Sequence, residues 1–412
     1  MGGNWGDSHE TRRGVPARVG PRDLRLFIVA GEHSGDALGA RLMAALNRRL
    51  KARVRYLGVG GMAMEREGLI SQFPIEEIAV MGPASVLKRL PRIARRIYGT
   101  VAAAIAAEPD AVVIIDAPEF THPIAKRIRR RRPEIPIIDY VSPSVWAWRP
   151  GRARRMRRYI DHVLALLPFE PEAQARLGGP PCSYVGHPLI ERLDWIGALD
   201  PEPLRRRLGL EPGRPVLVVL PGSRRSEVER LMGPFGDAVR LLGEHGEAPE
   251  VIIPALPHLQ RLIEEAVVSW PIKARIIGGE DDKFRAFKLA QAALAASGTV
   301  TLELALAGTP MVVAYRVDAL AARLRFLLKA PSVVLANLIA GANIVPELLQ
   351  EDCTGTKLAS ALLPLLADTP ERRAQLKGLA LVPHRLALGD KGPSEAAADI
   401  VLRYAEAGRK GL

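Results

Sequence analysis

Leu24-Arg-Leu-Phe-Ile-Val-Ala30, running without a break into Gly31-Glu32-His33-Ser34-Gly35-Asp36, is the stretch on which the fold turns. Apart from Arg25 its first part is an unbroken apolar run, the signature of a strand covered on both faces. The run ends at a turn holding two glycines, and residues 37–50 then take up an amphipathic helical pattern. Strand, tight turn and helix in that order open a doubly wound α/β unit, whose ligands meet the turns beyond the carboxyl ends of the strands.

Outward from there the same cycle repeats. Residues 55–59, 111–115, 135–140 and 162–166 read as further strands, separated by amphipathic or Ala/Arg-rich helical stretches. The pattern lapses over 193–203, where Pro201 and Pro203 fall together, and restarts with strand-like runs at 215–220, 250–254, 274–277, 292–296 and 311–314. Two Rossmann-like domains are expected, over 24–200 and 201–385. An N-terminal extension, 1–23, reads as disordered, and a C-terminal helix within 386–412 can pack back on the first domain. Segment 289–315 is nearly uncharged and long enough to suggest a membrane span. Glu303 at its middle, with Ser297, Gly298, Gly308 and Pro310 as punctuation, gives strand, loop, helix and strand of a buried core instead.

Composition narrows the partners. A chain of 412 residues with 48% hydrophobic content can bury two ordinary cores. Cys182 and Cys353 are far apart and lack a close Cys or His at metal-ligand spacing, so neither a disulfide framework nor a zinc site is expected, and a reducing cytoplasm fits. The net charge of +13 is concentrated: residues 126–132 hold six basic side chains in seven and 149–158 hold six arginines. Such charge suits nucleic acid, anionic lipid headgroups or phosphorylated substrates. The runs carry neither interleaved aromatics nor a nucleic-acid motif, and nucleic acid is set aside.

Five turns carry residue types suited to chemistry. At 31–36 the glycines allow close backbone approach and Glu32, Ser34 and Asp36 offer polar contacts, or else Ser34 or Asp36 caps the next helix. Asp116, closing Ile114-Ile115-Asp116-Ala117-Pro118-Glu119-Phe120, stands where a carboxylate can take a proton from an attacking hydroxyl; helix capping or an arginine pair is the alternative. Tyr140-Val-Ser142-Pro143-Ser144-Val-Trp146-Ala-Trp148-Arg149 offers aromatic faces to a sugar ring and a guanidinium to a phosphate, although Trp also fills cores. In the second half, Gly222, Ser223 and Arg224 at a helix start suit a diphosphate, if they do not form a solvated turn. Ser297, Gly298 and Thr299 suit the same group, and Glu303, one turn on, can accept two ribose hydroxyls; a buried, capped helix start competes with that reading. A donor nucleotide in one half and an acceptor in the other, reacting across a cleft, is the division these positions imply. No metal or cofactor is called for.

Taken in order, the blocks resemble the lipid-A-disaccharide synthase family. The matching segments include Gly31-Glu-His-Ser-Gly-Asp36, Gly58-Val-Gly-Gly-Met62, Val80-Met-Gly82, Ile115-Asp-Ala-Pro118, Tyr140 through Arg149, Pro168-Phe-Glu170, Tyr184-Val-Gly-His-Pro188, Leu220-Pro-Gly-Ser-Arg224, Ser297-Gly-Thr299, Asn337-Leu-Ile-Ala-Gly341 and Pro346-Glu-Leu-Leu-Gln350. The resemblance implies the GT-B fold and inverting transfer of a 2,3-diacylglucosamine unit from a UDP donor to 2,3-diacylglucosamine 1-phosphate. It further implies Asp116 as base, acceptor contacts from Glu32, Ser34, Gly35, Asp36, Glu119, Ser144, Trp146, Trp148 and Arg149, and donor contacts from Gly222, Ser223, Arg224, Ser297, Gly298, Thr299, Glu303, Asn337 and Gln350. The family's Asp-Phe-Asn after Asp-Ala-Pro is Glu119-Phe120-Thr121 here. Acylated substrates imply peripheral attachment to the inner face of the cytoplasmic membrane, an anionic surface. The segment from Val80, with Val86, Leu87, Leu90, Ile93 and Ile97 among basic residues, is the expected contact. Homodimerisation is left open.

Overall fold

The computed structural model describes residues 23–51, 53–78, 83–246, 248–317 and 330–410, with side chains described for all but 83–90 and 410. Val80-Met-Gly82 and the extension to residue 22 lie outside the described residues.

The first half runs β1 (Leu24–Ala30), α1 (His33–Leu50), β2 (Val54–Val59), α2 (Met62–Arg66), β3 (Leu69–Ser71), α3 (Pro83–Ala106), β4 (Ala111–Ile115), α4 (Pro118–Arg131), β5 (Ile137–Tyr140), α5 (Gly151–Met156), β6 (His162–Ala165), α6 (Glu170–Arg176) and β7 (Cys182–Tyr184). These strands form one parallel sheet in the order β3-β2-β1-β4-β5-β6-β7. After α7 (Leu193–Ala198) and α8 (Glu202–Leu208) come β8 (Val216–Leu220), α9 (Arg225–Glu244), β9 (Glu250–Pro254), α10 (Gln260–Val267), β10 (Ala274–Ile277), α11 (Glu280–Leu289), β11 (Ala292–Ala296), α12 (Val300–Leu306), β12 (Met311–Tyr315) and β13 (Glu347–Leu349). They build a second parallel sheet, β10-β9-β8-β11-β12-β13.

The apolar runs behave as doubly covered strands should. Along β1, Leu24, Leu26, Ile28 and Ala30 join the core under α1, while Phe27 and Val29 join the core on the other face with Ile97, Ile124 and Ile128. In β8, Val216, Val218 and Leu220 go one way and Leu217 and Val219 the other. Each such buried Val, Leu or Ile contributes about 1.5–3 kcal/mol relative to exposure, so a one-residue slip of register would be very costly. The last helix, Pro393–Lys410, packs against α1, and its Tyr404 hydroxyl meets His162 Nδ1 at 3.1 Å. The near-uncharged segment is the end of α11, β11, α12 and β12, whose strands and buried face of α12 lie in the cores of the second half. Among the described residues no helix is long and apolar enough to cross a membrane.

Two expectations change. The lapse at 193–203 is the helices α7 and α8, with Pro201 at the cap of α8 and Pro203 in its first turn, where neither lacks a needed hydrogen bond. In α3 the interfacial pattern divides: Ile97, Val101 and Ala104 are buried in the core and Ile93 packs against it, whereas Val86, Leu87 and Leu90 fall where side chains are not described.

Candidate active site

Each sheet reverses its strand order once, between β1 and β4 and between β8 and β11. Ligands of doubly wound sheets bind at such points. The four turns that meet there are Gly31–Glu32, Asp116–Ala117, Pro221–Arg224 and Ser297–Thr299, all positions singled out above.

At the first switch point the backbone is tightly constrained. Asp116 and Ala117 are consecutive non-glycine residues with φ of 53° and 43°, a left-handed conformation costing roughly 1–2 kcal/mol per residue. Buried Thr121 holds them, its hydroxyl donating to the carbonyl oxygens of Asp116 at 2.8 Å and Ala117 at 3.2 Å. The Asp116 amide donates to Tyr140 O at 3.0 Å, and its Oδ1 accepts from the Ala117 amide at 2.7 Å. Across the turn, a Cβ on Gly31 would stand 2.3 Å from that of Ala117, so the close approach requires glycine. Beneath lies a buried pair, His122 Nε2 and Asp139 Oδ2 at 3.2 Å, with the other His122 nitrogen 3.0 Å from Tyr159 Oη. Burial pushes the Asp139 carboxyl up against the opposing pull of His122.

Other first-half residues divide between this turn and the scaffold. Burial and then Asp116 raise the pKa of exposed Glu32, while Arg224 and His33 pull it down. Glu32 thus lies within electrostatic reach of both Asp116 on its own sheet and Arg224 on the other. Ser34 is exposed beside it, and Gly35 is packed under β4, a Cβ there falling 3.3 Å from Ile115 O. Asp36 is buried: its carboxylate accepts from the amides of Gly61 (2.8 Å), Ala63 (3.1 Å) and Met64 (3.1 Å), capping α2 rather than standing open for an acceptor. The tryptophans separate too. Trp146 is half-buried against the core, edge-on to Phe169 and donating Nε1–H to buried Glu170 at 3.2 Å, whereas Trp148 is 43% exposed with Arg149 stacked 4.1 Å from its ring centre. Of the two, Trp148 presents the more open ring. Ser144 is exposed in the same loop, its carbonyl accepting from the Trp148 amide. Glu119 is exposed and paired with Arg152. Thr121, in the place of the family's asparagine, spends its hydroxyl on backbone.

At the second switch point a cavity of about 620 Å³ runs from Gly222, Ser223 and Arg224 past Ser297–Thr299 to Glu303, with Pro254, Leu256 and Pro257 as an apolar end. Here the sequence reading needs correction. Buried Glu227 reaches back to the Ser223 and Arg224 amides at 3.0 and 3.2 Å and to Arg224 Nη1 at 2.9 Å, so the amides expected to cradle a diphosphate are already occupied. Gly222 permits this with φ of 117°; a Cβ there would lie 2.5 Å from Glu227 Oε2. What remains for an anion is the exposed Arg224 side chain and the exposed Ser223 side chain, with Gly298 and Thr299, since Ser297 Oγ donates to Val333 O at 2.7 Å. Asn337 is buried and fully used, bonding Val345 through both its nitrogen and its oxygen and Glu347 through the nitrogen, so it braces β13 rather than facing a donor. Gln350 Oε1 accepts from the Val317 amide at 3.4 Å. Lys283, which the sequence reading passed over, lines the cavity with its ammonium 2.9 Å from Glu303 Oε2. It sits in a Glu-Asp-Asp-Lys run that reads as a solvated helix start, and its partner Glu303 lies on α12, 20 residues away. Among the described residues no group of His, Cys, Asp or Glu is arranged to hold a metal.

Two parallel sheets with a pocket at the switch point define the class: the GT-B-type architecture of nucleotide-sugar transferases and epimerases. UDP-GlcNAc 2-epimerase from Neisseria meningitidis, solved bound to UDP-GlcNAc, matches with a TM-score of 0.64 at 12% identity, covering 92% of this chain and 100% of that one. MurG from Acinetobacter baumannii matches with a TM-score of 0.55 at 13% identity, covering 92% and 99%. At these identities the likeness is one of fold. The family model described as lipid-A-disaccharide synthetase matches residues 26–400. Lipid-A-disaccharide synthase of Nitrobacter hamburgensis is 55% identical over 386 residues, 93% of this chain and 96% of the relative. That of Rhodospirillum centenum is 46% identical over 382 residues, 92% and 94% of the two chains. The chain belongs to the lipid-A-disaccharide synthase family, glycosyltransferases of lipid A biosynthesis.

Proposed function

We propose that this enzyme condenses UDP-2,3-diacylglucosamine with 2,3-diacylglucosamine 1-phosphate, releasing UDP and forming a β-1,6-linked disaccharide 1-phosphate with inversion at the anomeric carbon. The observation that carries the reading is the position of Glu32, which feels both Asp116 and Arg224 and so ties the strained carboxylate turn to the mouth of the second cavity. In a single displacement the Asp116 carboxylate takes the proton of the acceptor 6-hydroxyl while that oxygen bonds to C1 of the donor. The bond from C1 to the diphosphate oxygen breaks on the opposite face, and its electron pair leaves with UDP. Arg224 and the Gly298–Thr299 turn stabilise the charge that develops there, and Glu303 accepts the ribose hydroxyls. Residues 24–200 thus present the acceptor and 201–385 hold the donor. Glu32, Ser34 and Trp148 line the acceptor side.

Both substrates carry acyl chains, which supports a cytoplasmic enzyme attached peripherally to the inner membrane face through the segment from residue 80 to 98, where apolar and basic residues alternate. Incubation with the UDP-diacyl donor and the monophosphate acceptor, followed by mass detection, should yield a tetra-acyl disaccharide phosphate and UDP in equal amounts. Turnover of UDP-N-acetylglucosamine alone, with no disaccharide, would replace this reading with another nucleotide-sugar chemistry.

A further inference from the structure

Beside the strained turn, α4 and α5 converge on the buried ring of Tyr159 and bring an unusual concentration of cations to one face. Lys126 Nζ stands 5.0 Å from the centre of that ring. Arg152, from α5, pairs with Glu119 at 2.5 Å, and Arg149, held at φ of 54°, approaches the same carboxylate at 3.9 Å. The Glu119 side chain is nonetheless 77% exposed. Two guanidinium groups thus converge on a carboxylate that nothing buries and that can swing away.

We infer that Arg149, Arg152, Arg155 and Lys126 form the subsite for the phosphate monoester of the acceptor, with Glu119 holding its place until the acceptor arrives. This rests on the acceptor assignment above. Placement supports it first. Glu119 is three residues past Asp116, at the start of α4, and the 6-hydroxyl and 1-phosphate of the acceptor flank the ring oxygen of one hexose. The phosphate must therefore bind within one sugar of the base. Exposed Trp148, with Arg149 against its face, lies where that sugar can rest. Charge supports it next. Burial, then Arg155 and Arg152, hold the Lys126 ammonium below its ordinary pKa, with Glu119 opposing them. The cluster is short of negative charge even with Glu119 present. A phosphate monoester carries about −1.5 to −2 near neutral pH and accepts bidentate guanidinium bonds, so it relieves that shortage better than one carboxylate does.

The test separates acceptor phosphate from an anionic headgroup of the same chemistry. In detergent micelles, Arg152→Gln/Arg155→Gln should raise KM for the 1-phosphate acceptor at least about tenfold, as expected for lost charge-assisted bonds, and leave the Kd for UDP unchanged. On an acceptor lacking the phosphate, variant and wild type should differ little. Because Arg152 is largely buried against α4, Lys126→Gln/Arg155→Gln, which alters two exposed side chains, serves as a second variant with the same expectation. Unchanged KM for the phosphorylated acceptor overturns the subsite. So does unchanged KM combined with lost co-sedimentation with phosphatidylglycerol vesicles, which would make the patch a membrane contact. Wild type that forms no disaccharide at all would instead remove the acceptor assignment on which the inference rests.

Discussion

The two switch points of this molecule are built on opposite plans. At the second, the charges lining the cavity are matched internally: Glu227 ties down its own turn and Arg224, and Lys283 is paired with Glu303. At the first, the wall is open, its Asp116–Ala117 backbone is strained, and the carboxyls buried behind it lie above their ordinary range. Glu250, buried in the second half, shows the contrast. Burial raises its carboxyl, but the Glu211 amide and Arg275 more than offset this and bring it below the ordinary value. A pocket that only has to hold a ligand can satisfy every charge in advance. Under the proposed mechanism, the wall that moves a proton keeps one half-buried carboxylate in a conformation that its surroundings impose.

That division can be broken most directly at Asp116. Asp116→Asn should lower kcat by about 10²–10⁴, the usual contribution of a positioned general base, while UDP binding by calorimetry stays at the wild-type Kd. If affinity for UDP falls in step with kcat, the two walls are not separable and the comparison fails. Near-normal turnover would remove Asp116 from the role of base.

The scaffold behind the first wall gives the next largest effect. Burial raises the carboxyl of Glu170 to about 7, although the amides of Leu167 and Leu166 and the indole of Trp146 favour its ionised form. The folded state therefore holds a proton that the unfolded chain releases near pH 4.5. This contribution to stability is complete below pH 4.5 and is lost as pH rises through about 7. Glu170→Gln does not titrate there. Urea unfolding should show wild type losing on the order of 3 kcal/mol relative to Glu170→Gln as pH rises between these values. Taking the difference cancels the opposite trend from His162 and His187, whose burial lowers them to about 4. A flat difference across that range would mean Glu170 is already matched, like its counterparts in the second half.

Legibility in the sequence follows the same line between backbone and side-chain partnership. Strands such as β1, β4, β9 and β11 could be read to the residue because a doubly covered parallel strand must be apolar along nearly all its length. The three-residue edge strands β3, β7 and β13 could not, since so short a run has no periodicity. Asp116 stands out as a candidate because a carboxylate ending an apolar run is conspicuous. Asp36 and Asn337 were assigned to ligands although their polar groups are consumed by Gly61–Met64 and by Val345 with Glu347, contacts 25 and 8 residues away in sequence. Trp146 and Trp148 share one rare block, yet differ in exposure because Phe169 and Glu170 claim the first. Lys283 was missed for the converse reason: its partner Glu303 is 20 residues away, and no local pattern marks it as inward.

Lys283 sharpens the comparison at its smallest expected effect. Its ammonium stands 2.9 Å from Oε2 of Glu303, and if Glu303 takes the ribose as proposed, Oε1 is the oxygen left for a hydroxyl and Lys283 is a positioning residue for donor binding. Lys283→Met should therefore weaken UDP by about tenfold and reduce the preference for UDP over 2′-deoxy-UDP, while Lys283→Arg retains most of both. Equal weakening of the two nucleotides would shift the role of Lys283 from the ribose to the diphosphate. No weakening of either would mean that the Lys283–Glu303 pair is scaffold only, and that the second wall, like the first, leaves part of its chemistry to be assembled when the ligand arrives.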